Sequence, residues 1–171
     1  MNLLKSLLIF CNTLSIVFLS CCSSNQDRSL SSIMSTAGDT NRKVLEYIEH
    51  HDEENLKNLL SPKLLETDDK VDEEITNALN AFSGSIVSRN KTSYGEEGSK
   101  TDGAYMQYFV DALNYSIKTD ADKEYDVICS LVIVYDSDPE RVGVAEIVIR
   151  DNEGNSFQIG DFYSVNPDLK H

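Results

Sequence analysis

Between Tyr125 and Asp136 the chain alternates without a break: Tyr125, Val127, Cys129, Leu131, Ile133 and Tyr135 fall on one side, and Asp126, Ile128, Ser130, Val132, Val134 and Asp136 on the other. Successive side chains of a strand point to opposite faces, so this is one long β-strand with a strongly apolar face and a mixed face. Tyr125, Val127, Cys129, Leu131 and Ile133 are expected to point toward whatever helices cover the sheet. Turn chemistry brackets the strand. Asp136-Ser137-Asp138-Pro139 is a turn leading to a strand over Val142 to Arg150, and Asp151-Asn152-Glu153-Gly154-Asn155 turns again into a strand over Ser156 to Tyr163. Asn114 to Thr119 reads as the preceding strand, with Asp120 to Lys123 as its hairpin turn, and Ser85 to Arg89 reads as the first strand. Residues 90–103, carrying Ser93, Gly95, Gly98, Ser99 and Gly103, read as a polar loop or partly ordered flap. Tyr105 to Leu113 fits a helix or a strand, with strand preferred.

The first half has a different period. Val44, Leu45 and Ile48 recur at helical spacing. Asp52 is placed to cap a following turn of helix, with Glu53 and Glu54 at its positive end, and Leu56, Leu59 and Leu60 continue the apolar stripe. Ser61-Pro62 is an N-cap followed by proline at the first helical position, which opens a short helix over Lys63 to Glu66. Val71, Ile75, Ala78, Leu79 and Phe82 form another apolar face that Gly84 ends. Helices followed by an antiparallel meander give an α+β domain, with N-terminal helices packed on a curved antiparallel sheet.

These patterns carry a resemblance. Val44 to Leu60 followed by Ser61-Pro62-Lys63-Leu64-Leu65, the helix Val71 to Phe82 running into Gly84, Ser116-Ile117-Lys118-Thr119-Asp120, and Asp136 to Gly143 with its following strand carry it. Together they resemble the nuclear-transport-factor-2-like (cystatin-like) fold. Within that fold they resemble a family of Gram-positive lipoproteins, domain of unknown function 5104. The likeness covers residues 40–165, and residues 90–113 depart from it. It implies a fold and a location and no activity. Such a cone-shaped sheet often leaves a pocket at its open end, and relatives use the sheet face to pair with a second copy.

The amino terminus resembles a lipoprotein export signal. Lys5 supplies a positive flank, Leu7 to Leu19 carries no charge, and Val17-Phe18-Leu19-Ser20-Cys21 matches a lipobox. The match implies cleavage after Ser20 and a diacylglycerol on the Cys21 sulfur, because Cys22 would follow a residue larger than the usual small one. Residues 1–20 are then the signal peptide, residues 21–38, rich in serine, a lipidated flexible tether, and residues 39–171 one α+β domain. The expected location is the cell membrane, lipid-anchored and facing outside the cytoplasm, with the membrane met through the lipid on Cys21. The formal charge of −14 becomes one unit more negative when Lys5 leaves. Such a chain gains nothing from counterion release at phosphates, which excludes nucleic acid as a partner, and anionic headgroups repel it. Cys11 leaves with the signal. Cys129 sits in an apolar run with no His or basic residue near it in sequence, so it reads as a small buried hydrophobe and not as a nucleophile.

Catalysis is not legible here. There is no Ser-His-Asp pattern, phosphate-cradling glycine loop or CxxC motif. His50 and His51 are adjacent and diverge on a helix, so no metal is expected at them. Asp120, Asp122, Glu124 and Asp126, and more weakly Asp151, Glu153 and Asn155, alternate like calcium ligands but lack the loop's glycine and closing glutamate. No cofactor is expected. If a pocket forms, Tyr47, Phe82, Tyr105, Tyr108, Phe109, Tyr115 and Phe162 are its candidate aromatic linings, and Asp111 and Asp161 are the strand carboxylates to inspect. The leading reading is a non-catalytic, lipid-anchored binding or interaction domain with an unassigned protein or small-molecule partner and a possible homodimer through the sheet face. The alternatives are a small pocket enzyme of isomerase or dehydratase type using an Asp or Glu base, which a buried carboxylate in an apolar pocket would favour, and an inhibitor or immunity-type protein, which an exposed apolar sheet face would favour.

Overall fold

The computed structural model describes residues 29–169. The expected signal peptide, Cys21 and Cys22 lie outside the described residues, as does most of the expected tether. The folded region begins earlier than residue 39. Helix α1 runs Leu30–Glu49, capped by Ser29, whose hydroxyl accepts from the Ser32 N–H. Ile33, Ala37 and Asn41 continue the buried stripe of Val44, Leu45 and Ile48 toward the N-terminus. Serine-rich composition hides that stripe, because only its period, and not its overall hydropathy, marks it as helical.

Three shorter helices follow as the capping chemistry predicts. Helix α2 is Glu53–Lys57 with Asp52 accepting from the Asn55 N–H. Helix α3 is Pro62–Thr67 with Ser61 accepting from the Leu64 N–H, and α4 is Val71–Ala81 with Val71, Ile75, Ala78 and Leu79 buried.

The strands are β1 Ile86–Ser88, β2 Ser93–Thr101, β3 Ala104–Thr119, β4 Glu124–Tyr135, β5 Gly143–Asp151 and β6 Ser156–Ile159, and a short helix α5, Phe162–Val165, follows them. They form an antiparallel sheet ordered β1-β3-β4-β5-β6, with β2 also paired to β3. Residues 104–119 are thus one strand, and the flap expected over residues 90–103 is instead the strand β2. Its nine residues are all exposed, so they show no apolar alternation. The sign of the hairpin is Asp102-Gly103, both at positive φ (51° and 85°), the two-residue turn whose twist suits antiparallel strands.

The strand expected over Ser156 to Tyr163 stops at Ile159. Gly160 takes a left-handed φ of 70° and donates its N–H to Glu74 at 2.8 Å, and Asp161 then accepts from the Tyr163 N–H to open α5. Asp161 is therefore a helix cap and not a strand residue. Ile133 departs from expectation too. Tyr108 pairs with Val134 and Phe109 with Val132, so Ile133 is the extra residue of a bulge and is only partly buried, while Val132 is fully buried. A second bulge lies between Asn114 and Ile117, where Ser116 has φ 52° and donates its N–H to Asp126 at 2.9 Å.

One face of the sheet carries the core. Ala112, Cys129, Ile147 and Ile159 stand side by side in register across β3 to β6 and each is 0% exposed. Asn114 shares that face and exchanges amide hydrogen bonds with Asn41 of α1 at 2.9 and 3.2 Å, while its amide also donates to the Val127 carbonyl. Helix α1 therefore covers the face of the sheet to which Cys129 and Ile147 point.

Candidate functional site

The residues one step along each strand point the other way. Gly95, Asp111, Ser130 and Glu146 are paired in turn across β2, β3, β4 and β5. They form a row on the face turned away from α1. At one end of this face Phe109 and Val132 are buried, and Phe162 of α5 packs edge to face on Phe109 at 5.5 Å. Where that cover ends, a cleft of about 310 Å³ opens, lined by Glu97, Asp111, Ser130, Glu146, Phe162 and Tyr163, with Gly95, Glu96, Phe109 and Val110 completing it. Its depth has a simple origin. Gly95 and Ser130 are the short side chains of the row, and an added Cβ at Gly95 would meet Asp111 only at ordinary contact distance.

The cleft is acidic. Glu146 is half-buried and its carboxyl is raised above the ordinary range, first by burial and then by the charges of Asp161 and Asp111, with Arg150 opposing. Gln158 donates to it at 2.7 Å. Ser130 is 6% exposed, and its hydroxyl has no hydrogen-bond partner among the described residues. The carboxylate of Glu96 is already engaged, accepting from the Tyr108 hydroxyl; burial, then Glu96, holds that phenol well above its usual range. The next row, Leu113, Ile128 and Val148, is apolar.

Of the candidate pocket aromatics, the cleft gathers Phe109 and Phe162 alone. Tyr108 is buried with its ring edge to face with Tyr105 at 4.6 Å, and Lys100 lies over Tyr105 at 4.1 Å. Phe82 stacks on Tyr125 in the core, Tyr47 is half-buried on α1, and Tyr115 is exposed. Asp111 lines the cleft, while Asp161 sits outside its lining and acts on Glu146 by charge. Sequence reasoning passed over Ser130 and Glu146. Their signal was available: each is a lone polar residue inside an apolar strand, Val127-Ile128-Cys129-Ser130-Leu131-Val132 and Val144-Ala145-Glu146-Ile147-Val148.

The other polar groupings serve the backbone. His50 Nδ1 lies 2.7 Å from the Glu46 carbonyl and His51 Nε2 2.9 Å from the Phe82 carbonyl, so the two rings go to different places. Asp120 accepts from Ser85 N–H at 2.7 Å, and Asp151 accepts from the N–H groups of Glu153 and Asn155. Both hold turns. No three His, Cys, Asp or Glu side chains among the described residues are grouped to hold one metal ion. The Cys129 thiol is fully buried and pushed up by that burial and by Asp111, which suits packing and not reactivity. No described helix is long and apolar enough to cross a membrane.

A family model described as domain of unknown function (DUF5104) matches residues 43–153, from the middle of α1 to the turn after β5, and the chain belongs to that family. No curated protein matches it.

Proposed function

We propose that this member of the DUF5104 family is a bacterial lipoprotein whose folded domain binds a ligand outside the cytoplasm and carries no chemical step of its own. The fold is read as nuclear-transport-factor-2-like: the long helix α1 on one face of a bulged antiparallel sheet with a long central strand supports that assignment. The Ser20-Cys21 lipobox supports a diacylglycerol anchor on Cys21. Because α1 starts at Leu30, the segment from Cys22 to Ser29 can reach at most about 28 Å. The domain then works close to the outer surface of the cytoplasmic membrane.

The observation that carries the binding reading is the row Asp111, Ser130, Glu146. Asp111 is exposed, but Ser130 and Glu146 are drawn out of water in the middle of central strands, facing a cleft, where a fold optimised for stability alone would place apolar side chains. A second reading, the pocket enzyme with a carboxylate base, is favoured by the raised carboxyl of Glu146. The cleft weakens that reading, because its walls are rich in like charge where the enzyme reading asks for an apolar pocket. Two experiments test the proposal. Mass spectrometry of the membrane fraction should find a diacylated Cys21 at the mature N-terminus, absent in Cys21→Ala. Gly95→Leu, whose Cβ meets Asp111 only at ordinary contact distance and whose side chain enters the cleft, should remove ligand binding while leaving the fold intact; turnover of a ligand abolished by Glu146→Gln would favour the enzyme.

A further inference from the structure

We propose that the cleft takes a linear organic polycation, an amine with at least two ammonium groups, laid across β3, β4 and β5 between Asp111 and Glu146, with the Ser130 hydroxyl accepting a hydrogen bond between them. The inference rests on reading the cleft as a ligand site and names the ligand's class.

Asp111 and Glu146 stand on strands separated by β4, so their backbones are about 10 Å apart, two strand spacings. No three His, Cys, Asp or Glu side chains among the described residues are grouped to hold one metal ion, whereas a two-strand separation suits two positive centres joined by a methylene chain. Between them, Ser130 is more than nine-tenths buried, lines the cleft and has no hydrogen-bond partner among the described residues. The described side-chain oxygens sealed from solvent without a partner are those of Thr119 and Asn166, so the Ser130 hydroxyl is open to the cleft, where a ligand or water completes its hydrogen bonding. Glu97 adds a further carboxylate to the wall, and Phe162 and Tyr163, edge to face at 5.5 Å, offer ring surface to methylenes and to a cation. The cleft volume of about 310 Å³ is at the small end of ligand pockets, which fits a slender chain and not a bulky ring system. The mutual repulsion that raises the Glu146 carboxyl is relieved when positive charge arrives. Arg150 is the cation that already acts on Glu146, and its side chain is exposed, so it leaves room for a second.

The test is isothermal titration of the full chain in detergent at physiological salt, with spermidine, propylamine, magnesium and tetralysine as probes. Saturable one-site spermidine binding is expected, with propylamine much weaker. Asp111→Asn and Glu146→Gln should each weaken spermidine by about tenfold, the loss of a hydrogen bond to a charged group, and Ser130→Ala by about threefold. Glu73→Gln on α4 changes the net charge equally and should change nothing. Equal weakening by Glu73→Gln, or no spermidine binding, overturns the proposal, as does tighter binding of magnesium or of tetralysine, which would assign the cleft to a metal or to a basic protein partner. Gly95→Leu separates the two levels. If it removes binding of some other ligand while spermidine does not bind, the site stands and this ligand class falls. If it leaves every ligand bound, the site itself falls.

Discussion

The two faces of the sheet are built on the same strands and differ by one residue of register. On one face Ala112, Cys129, Ile147 and Ile159 lie in a row without exposed area. On the other, Gly95, Asp111, Ser130 and Glu146 lie in a parallel row whose three polar side chains line an open cleft. The first row gains free energy from every group removed from water. The second gathers like charges around a hydroxyl that is open to the cleft. The contrast teaches that one strand can hold both the stability and the site of a domain, with the site placed on the outer face beyond the patch that Phe109 and Val132 bury.

The sharpest way to break this comparison is to truncate the core row. Leu131, 1% exposed on the core side of β4, should cost about 2–4 kcal/mol when changed to Ala, seen as a lower urea midpoint. An unchanged midpoint would mean that the faces are assigned backwards. A polar position on the same face comes next. Asn114→Ala strands the amide of Asn41 and the Val127 carbonyl, both hydrogen-bonded to it, and should cost about 1–3 kcal/mol by the same measurement.

The outer row should behave oppositely. Because the folded-state carboxyl of Glu146 is raised, the native state holds a proton there at pH values where the unfolded chain has lost it. Wild-type stability from this group therefore falls as pH rises from the ordinary carboxylate range through the raised folded value, and its cost is complete above that value. Glu146→Gln should accordingly stabilise at neutral pH, by roughly 0.5 kcal/mol, with the gain vanishing as pH is lowered into the ordinary carboxylate range. Thermal melts of both proteins across pH 4 to 8 check the sign. Smallest of all, replacing His50 and His51 together by Gln should change stability by less than about 0.5 kcal/mol. Both are exposed at the end of α1, and each bonds only a backbone carbonyl.

What could be read from the sequence follows from where the apolar signal is strong. The caps at Asp52 and Ser61 and the alternation from Tyr125 to Leu131 each have a local cause and stand where they were expected, while the bulge at Ile133 breaks the alternation beyond. Strand β2 was hidden because both its faces meet water, so no burial pattern marks it, and Asp102-Gly103 alone announces its hairpin. The start of α1 was hidden by serine. The cleft was half-visible: Asp111 could be suspected from its strand, but Ser130 and Glu146 join it only through register, which is set among three bulges that no local pattern encodes.

The most direct test of the account is the unfolding free energy of the Asp111→Asn, Glu146→Gln double variant at neutral pH, measured beside its spermidine titration. The account predicts a domain at least as stable as the wild type that no longer binds the amine. A double variant that loses stability and keeps the amine would show that the outer row holds the fold together and that the site lies elsewhere.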